Sequence, residues 1–101
     1  MENSRNIKNM IEYPKEGILS KELFKTSKVD MTLFCMSRGS EMSKHTSTKE
    51  GLIIVLEGNG MFNLQGERIA MRPGISIRMK KNAVHSLKAK ENTSFVLILF
   101  A

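Results

Sequence analysis

Gly39-Ser40-Glu41-Met42-Ser43-Lys44-His45-Thr46-Ser47-Thr48-Lys49-Glu50-Gly51-Leu52-Ile53-Ile54-Val55-Leu56-Glu57-Gly58 joins a polar segment, holding one of the chain's two histidines, to a β-branched apolar run. Leu52 to Leu56 has strand composition, and Gly58-Asn59-Gly60 behind it is turn chemistry. Side chains alternate faces along a strand, so Gly51, Ile53 and Val55 share one face while Leu52 and Ile54 share the other. With the first set turned inward, Glu50 is one residue out of phase and points away unless a bulge turns it in. The same period of two puts His45 and Ser47 on one face. The stretch thus predicts two strands that bring an imidazole and a hydroxyl to the inside of a sheet protein.

Outward from this stretch the chain reads as short extended segments. Ile18 to Thr26 and Val29 to Ser37 precede it, and Met31 to Met36 is apolar on both faces, as in a strand covered by a second sheet or a partner chain. Within and beyond it, segments are predicted at Glu41 to Thr46, Leu52 to Glu57, Met61 to Leu64, Arg68 to Met71, Ile75 to Met79, His85 to Ala89 and Ser94 to Phe100. Turn residues separate them, as at Gln65-Gly66-Glu67, Arg72-Pro73-Gly74 and Glu91-Asn92-Thr93. About nine short strands punctuated this way are the signature of an all-β sandwich or barrel. Ile7, Met10 and Ile11 have rough helical spacing, but Pro14 and Gly17 stop it. Residues 1–16 read as a mobile arm or short helical turn, and residues 17–101 as a single barrel domain.

A chain of 101 residues supports one core. A net charge of +6 raises the question of nucleic acid, but no basic run exceeds Lys80-Lys81 and no aromatic residues interleave with the cations, so no nucleic-acid partner is expected. No apolar run approaches the ~20 residues of a membrane helix, and no signal segment is evident, so no membrane association and a cytoplasmic location are expected. The single cysteine, Cys35, excludes an intrachain disulfide and multi-cysteine zinc patterns and reads as a small core residue. A Gly-x-Ser-x-Gly elbow and a Gly-rich phosphate loop are both missing, so nucleophilic catalysis has no support.

The spacing resembles that of the cupins. Their first motif runs Gly, five residues, His-x-His, three or four residues, Glu, six residues, Gly; here Gly39, His45, Ser47, Gly51 and Gly58 fall in that frame, with Glu50 displaced by one. Their second motif runs Gly, five residues, Pro-x-Gly, two residues, His, three residues, Asn; here Gly74, Lys80, Asn82, His85 and Ala89 keep the spacing. Asn in place of Gly at position 82 is a mild change, because Asn tolerates left-handed backbone.

The resemblance implies a double-stranded β-helix, or jelly roll, with a pocket in the barrel and, in many members, three His and one Glu holding a divalent metal. His45 and His85 map onto the first and last ligand positions; Ser47 and Gly51 do not carry their ligands over. The expectation is a small-molecule binding module whose pocket holds His45, Ser47, Gly51, Ile53, Val55 and His85, with or without a divalent transition metal. The competing expectation is a metal-dependent enzyme, dioxygenase- or isomerase-like, with His45, His85 and a swung-in Glu50 as ligands. A third is a structural domain whose barrel mouth is filled by side chains such as Met42 or Met79. A homodimer through Val29 to Met36 and Ser94 to Phe100 is also expected, because strands apolar on two sides have surface to cover.

Overall fold

The computed structural model describes residues 3–101. Nine strands follow in order: β1 (Ile18–Lys25), β2 (Val29–Met36), β3 (Glu41–His45), β4 (Glu50–Glu57), β5 (Gly60–Leu64), β6 (Glu67–Met71), β7 (Ser76–Met79), β8 (His85–Ala89) and β9 (Thr93–Phe100). Each matches a segment expected from the turn pattern, with ends shifted by two residues at most. They form two antiparallel sheets, ordered β1-β2-β9-β4-β7 and β3-β8-β5-β6. Chain neighbours such as β2 and β3, or β4 and β5, lie in different sheets, which is the interleaving of a double-stranded β-helix.

Strand composition follows position in the sheets. β9 is paired on one side by β2 and on the other by β4, and its sequence Thr-Ser-Phe-Val-Leu-Ile-Leu-Phe lacks polar alternation because both faces are covered. Between the sheets lie Met36, Ile53, Val55, Phe62, Met71, Ile77, Met79, Leu87, Ala89 and Phe95. Phe34 stacks on Phe95 with ring centroids 5.2 Å apart. Outside the five-stranded sheet a second cluster gathers Leu33, Cys35 and Val96 under Ile7, Met10, Ile11 and Tyr13 of the N-terminal segment. The two-faced apolarity of Met31 to Met36 therefore has two causes: the opposite sheet within, and the chain's own N-terminal segment without.

That segment is anchored. Ile7–Met10 forms one 3₁₀ turn, begun by the Asn6 side chain accepting from the Lys8 N–H. The Lys21 ammonium donates to the Met10 carbonyl at 2.9 Å and pairs with Glu12 at 3.0 Å. The Tyr13 hydroxyl donates to Glu57 at 2.8 Å and lies 3.1 Å from Ser94 Oγ. Burial, with the Glu57 carboxylate beside it, pushes the Tyr13 phenol up to about 12. At the end of the opening stretch, Gly58 has φ +103, and a Cβ there would stand 2.3 Å from the Asn92 carbonyl oxygen, so glycine alone fits.

Candidate functional site

His45 ends β3, His85 begins β8, and the two are paired directly across the ladder. The register shifts between Met42 and His45, so that Ser43 and Lys44 together stand against Ser86. This bulge is what lets Met42 and His45, three residues apart, share a face: Met42 packs against the inner core and His45 meets His85. The imidazole centroids are 4.1 Å apart, edge to face at 64°. Phe62, at the centre of β5, lies nearly parallel to the His85 ring at 5.8 Å. His85 is buried at 6% exposure and His45 is exposed, so the pair straddles the rim of the barrel.

The hydrogen bonds of the rings set their chemistry. His45 Nδ1 lies 2.6 Å from the Ser43 carbonyl oxygen, and His85 Nδ1 lies 3.0 Å from that of Ala83. A carbonyl only accepts, so both rings carry a proton on Nδ1, and in the neutral state each keeps its lone pair on Nε2. Burial holds His85 below the ordinary histidine range; the Ala83 carbonyl works against this, and the charge on His45 works with it.

The other expected site residues are placed differently. Glu50 opens β4 on the face of Leu52 and Ile54, outside the barrel, and accepts from Arg78 at 2.8 Å. The guanidinium holds its carboxyl below the usual range. No bulge turns Glu50 inward; the register shift of β4 comes later, between Val55 and Glu57. Ser47 lies beyond the end of β3, where its hydroxyl accepts from the Lys49 N–H at 3.1 Å and its carbonyl from the Asn82 N–H at 2.7 Å. It closes a turn between two loops instead of continuing the alternation. Asn82 adopts the left-handed backbone, with φ 64.

Gly51 faces inward, yet it leaves no vacancy. A Cβ there would stand 2.9 Å from Met79 Cε and 3.2 Å from Leu99 Cδ2, so those side chains close the space a carboxylate would need. Ile53 and Val55, at 2% and 1% exposure, are core residues. The physical reason is filling: Met36, Met71 and Met79 adapt to the space that Phe62 and Phe95 leave. Open volume begins at the rim, where a depression of about 480 Å³ lies against His85, Val84 and Gln65 and is edged by Lys44, Asn63 and Ser86.

A metal centre of three His and one Glu does not fit these residues. The two imidazoles offer two nitrogen donors, but the Ser47 hydroxyl is spent locally, Gly51 has no donor and Glu50 is held outside by Arg78. Among the described residues no group of three or more His, Cys, Asp or Glu side chains could hold a metal ion. The match to the cupin motifs found the two histidines, and Met79 was among the side chains expected to fill the barrel; Phe62 beside His85 comes from a strand whose register the sequence does not display.

Two sheets closed in this order, with paired imidazoles at one rim, define a small jelly-roll barrel. The profile of the cupin domain matches residues 32–100, and the chain belongs to that family. No curated protein matches its sequence. Among solved structures, it is similar to a conserved protein of unknown function from Streptococcus pyogenes, at 20% identity and TM-score 0.89, over 99% of this chain and 88% of that one. A cupin superfamily protein from Desulfitobacterium hafniense is similar at 19% identity and TM-score 0.90, over 99% and 92%. A cupin 2 conserved barrel domain protein from Leptotrichia buccalis reaches 26% identity and TM-score 0.89, with 96% of this chain covering 47% of that one. Among the described residues no helix is long and apolar enough to cross a membrane.

Proposed function

We propose that this cupin-fold protein is a binding module that takes a small ligand at the His45–His85 pair. One observation carries the reading: two imidazoles set edge to face, 4.1 Å apart, with both Nδ1 atoms committed to backbone carbonyls. Neutral rings held this way turn two lone pairs toward whatever enters the rim, so they favour a ligand with hydroxyl or ammonium donors. A divalent transition metal would find two nitrogen donors there and would need the remaining ones from its own ligands. The donor set supports binding over a dioxygenase- or isomerase-type reaction, because among the described residues no carboxylate joins the pair, and the chain has no third histidine. The buried, free Cys35 supports a reducing, cytoplasmic setting.

Thermal-shift screening with a metabolite library, and separately with zinc, nickel, copper, manganese and iron salts, tests this. Ligands that raise the melting temperature should lose their effect in both His45→Ala and His85→Ala. A stabilising ligand indifferent to both substitutions would remove the pair from the site. One stoichiometric metal retained after dialysis would favour the enzyme reading instead.

A homodimer is supported by the outer face of the five-stranded sheet. Phe24, Met31, Ile98 and Leu52 stand side by side across β1, β2, β9 and β4, and the row ends at Arg78. Phe24, Phe100 and Ile54 are 54%, 42% and 36% exposed. The occupant is a second copy: the Glu50–Arg78 pair beside this row offers both signs, which a two-fold axis can exchange between copies. Light scattering should give twice the chain mass for the native protein and the single mass for Ile54→Glu/Phe100→Glu. A monomeric native protein at ~100 μM would end this assignment.

A further inference from the structure

The outward face of the four-stranded sheet carries chemistry that the imidazole pair does not use. Asn63 is paired with Ser86 on one side and Arg68 on the other, and the β3 bulge sets Lys44 beside Ser86. Lys44, Ser86, Asn63 and Arg68 thus form one row across all four strands. Glu41, Lys88 and Met61 form the next. Together with Lys90 they line a trough of about 450 Å³. Adjacent strands lie about 4.8 Å apart, so the backbones at Lys44 and Arg68 are separated by roughly 14 Å.

The floor and the walls of this trough differ. Asn63, Ser86 and Met61 are half-buried, whereas Lys44, Arg68, Lys88 and Lys90 are exposed. Among the described residues the Asn63 amide and the Ser86 hydroxyl make no hydrogen bond within the protein, although each sits where solvent access is reduced. None of the four cations is in an ion pair; the two pairs among the described residues are Lys21–Glu12 and Arg78–Glu50. Glu41 is the one carboxylate in the lining. The result is a row with a cation at each end and two neutral hydrogen-bonding groups between them.

We propose that this trough binds a small polyanion carrying two or more phosphate groups. An anion with a single charged group reaches one end of the row, while a phosphate chain reaches both Lys44 and Arg68 and lies over the Ser86 and Asn63 donors. The planar guanidinium of Arg68 matches two phosphate oxygens at once, and Lys44, Lys88 and Lys90 act as point charges along the chain. No aromatic side chain lines the trough, so nothing there stacks on a base. The site therefore reads the phosphate chain and not an attached nucleoside. Ser86 and Lys88 point out of β8 while His85 and Leu87 point in, so the proposal stands on side chains other than the imidazole pair, and Lys44, Asn63 and Ser86 also edge the depression beside His85.

Calorimetric titration of the full chain with sodium tripolyphosphate at low ionic strength tests it. Saturable binding at one site per chain is expected, weakened about tenfold or more by Lys44→Ala/Arg68→Ala. Asn63→Ala/Ser86→Ala, which leaves the charge unchanged, should weaken it about threefold. Lys15→Ala/Lys28→Ala removes as much charge outside the trough and should change affinity by less than about twofold. Adenosine triphosphate should bind within about tenfold of tripolyphosphate, since the chain is what is read. Failure to saturate, an equal loss in the Lys15/Lys28 variant, no loss in the Asn63/Ser86 variant, or a much tighter affinity for the nucleotide would each overturn the assignment.

Discussion

Gly51 and Met79 offer a quantitative test of how the barrel is filled. Met79 is 4% exposed and belongs to the inner core, so Met79→Ala should cost about 2–4 kcal/mol through lost contacts and the cavity left behind. Gly51→Ala places a Cβ 2.9 Å from Met79 Cε and 3.2 Å from Leu99 Cδ2, well inside the ~3.5–4.0 Å of an unstrained carbon contact. Overpacking of this kind costs about 1–2 kcal/mol, and the reduced backbone freedom of the unfolded alanine chain returns about 0.5 kcal/mol, so net destabilisation near 1 kcal/mol is expected. The obstructing atom is the free end of a flexible side chain. In the Met79→Ala background it is gone, and Gly51→Ala should become neutral or slightly stabilising. Urea unfolding of the two single variants and the double variant should therefore yield a coupling of about 1 kcal/mol in favour of the double variant. Additivity within ~0.3 kcal/mol would mean that Met79 does not occupy the space above Gly51, and the filled-barrel account would fail.

Two further outcomes follow from titratable groups. His85 titrates below its ordinary value of 6.5 in the folded protein, so the unfolded chain takes up its proton first as the pH falls. The stabilisation is present above pH 6.5 and is lost as the pH falls below it; the urea midpoint should drop as the pH is lowered through 6.5, and His85→Asn should flatten that drop. An unchanged slope in the variant would assign the pH dependence elsewhere. The chain has one tyrosine, so near-ultraviolet absorbance reads Tyr13 directly and should show a midpoint near 12. Its raised value means stability held below pH 10 and lost as the pH climbs toward 12, while a midpoint near 10 would mean that Tyr13 is not buried against the sheet beside Glu57. Tyr13→Phe should cost about 1 kcal/mol and speed thiol labelling of Cys35, which that segment covers.

Most of the strand plan was legible because each break is written in turn residues and each strand in branched or aromatic ones. The two-faced run Met31 to Met36 was legible as covered, but its outer cover was not, since Ile7, Met10, Ile11 and Tyr13 give only a faint local pattern. His45 and His85 could be found because both fall on histidine positions of the cupin motifs, whereas their direct pairing across β3 and β8 was not legible. Ser47 was misplaced because strand alternation was carried past His45, where the backbone already turns. That Gly51 lines no open space was not legible for a different reason: whether a glycine leaves a void depends on the residue paired with it, and the Gly51–Met79 pairing is a long-range fact. The Ser43–Lys44 bulge was equally invisible, although the spacing of Met42 and His45, three apart with both facing in, is its trace.

The tautomeric state of the two histidines tests the central claim most directly. Long-range proton–nitrogen NMR at about pH 8 should show the proton on Nδ1 of His45 and of His85, leaving both Nε2 atoms free for a ligand. A proton on Nε2 of either ring would contradict the account, because that ring would then turn away from its carbonyl and the pair would no longer present two acceptors at the rim.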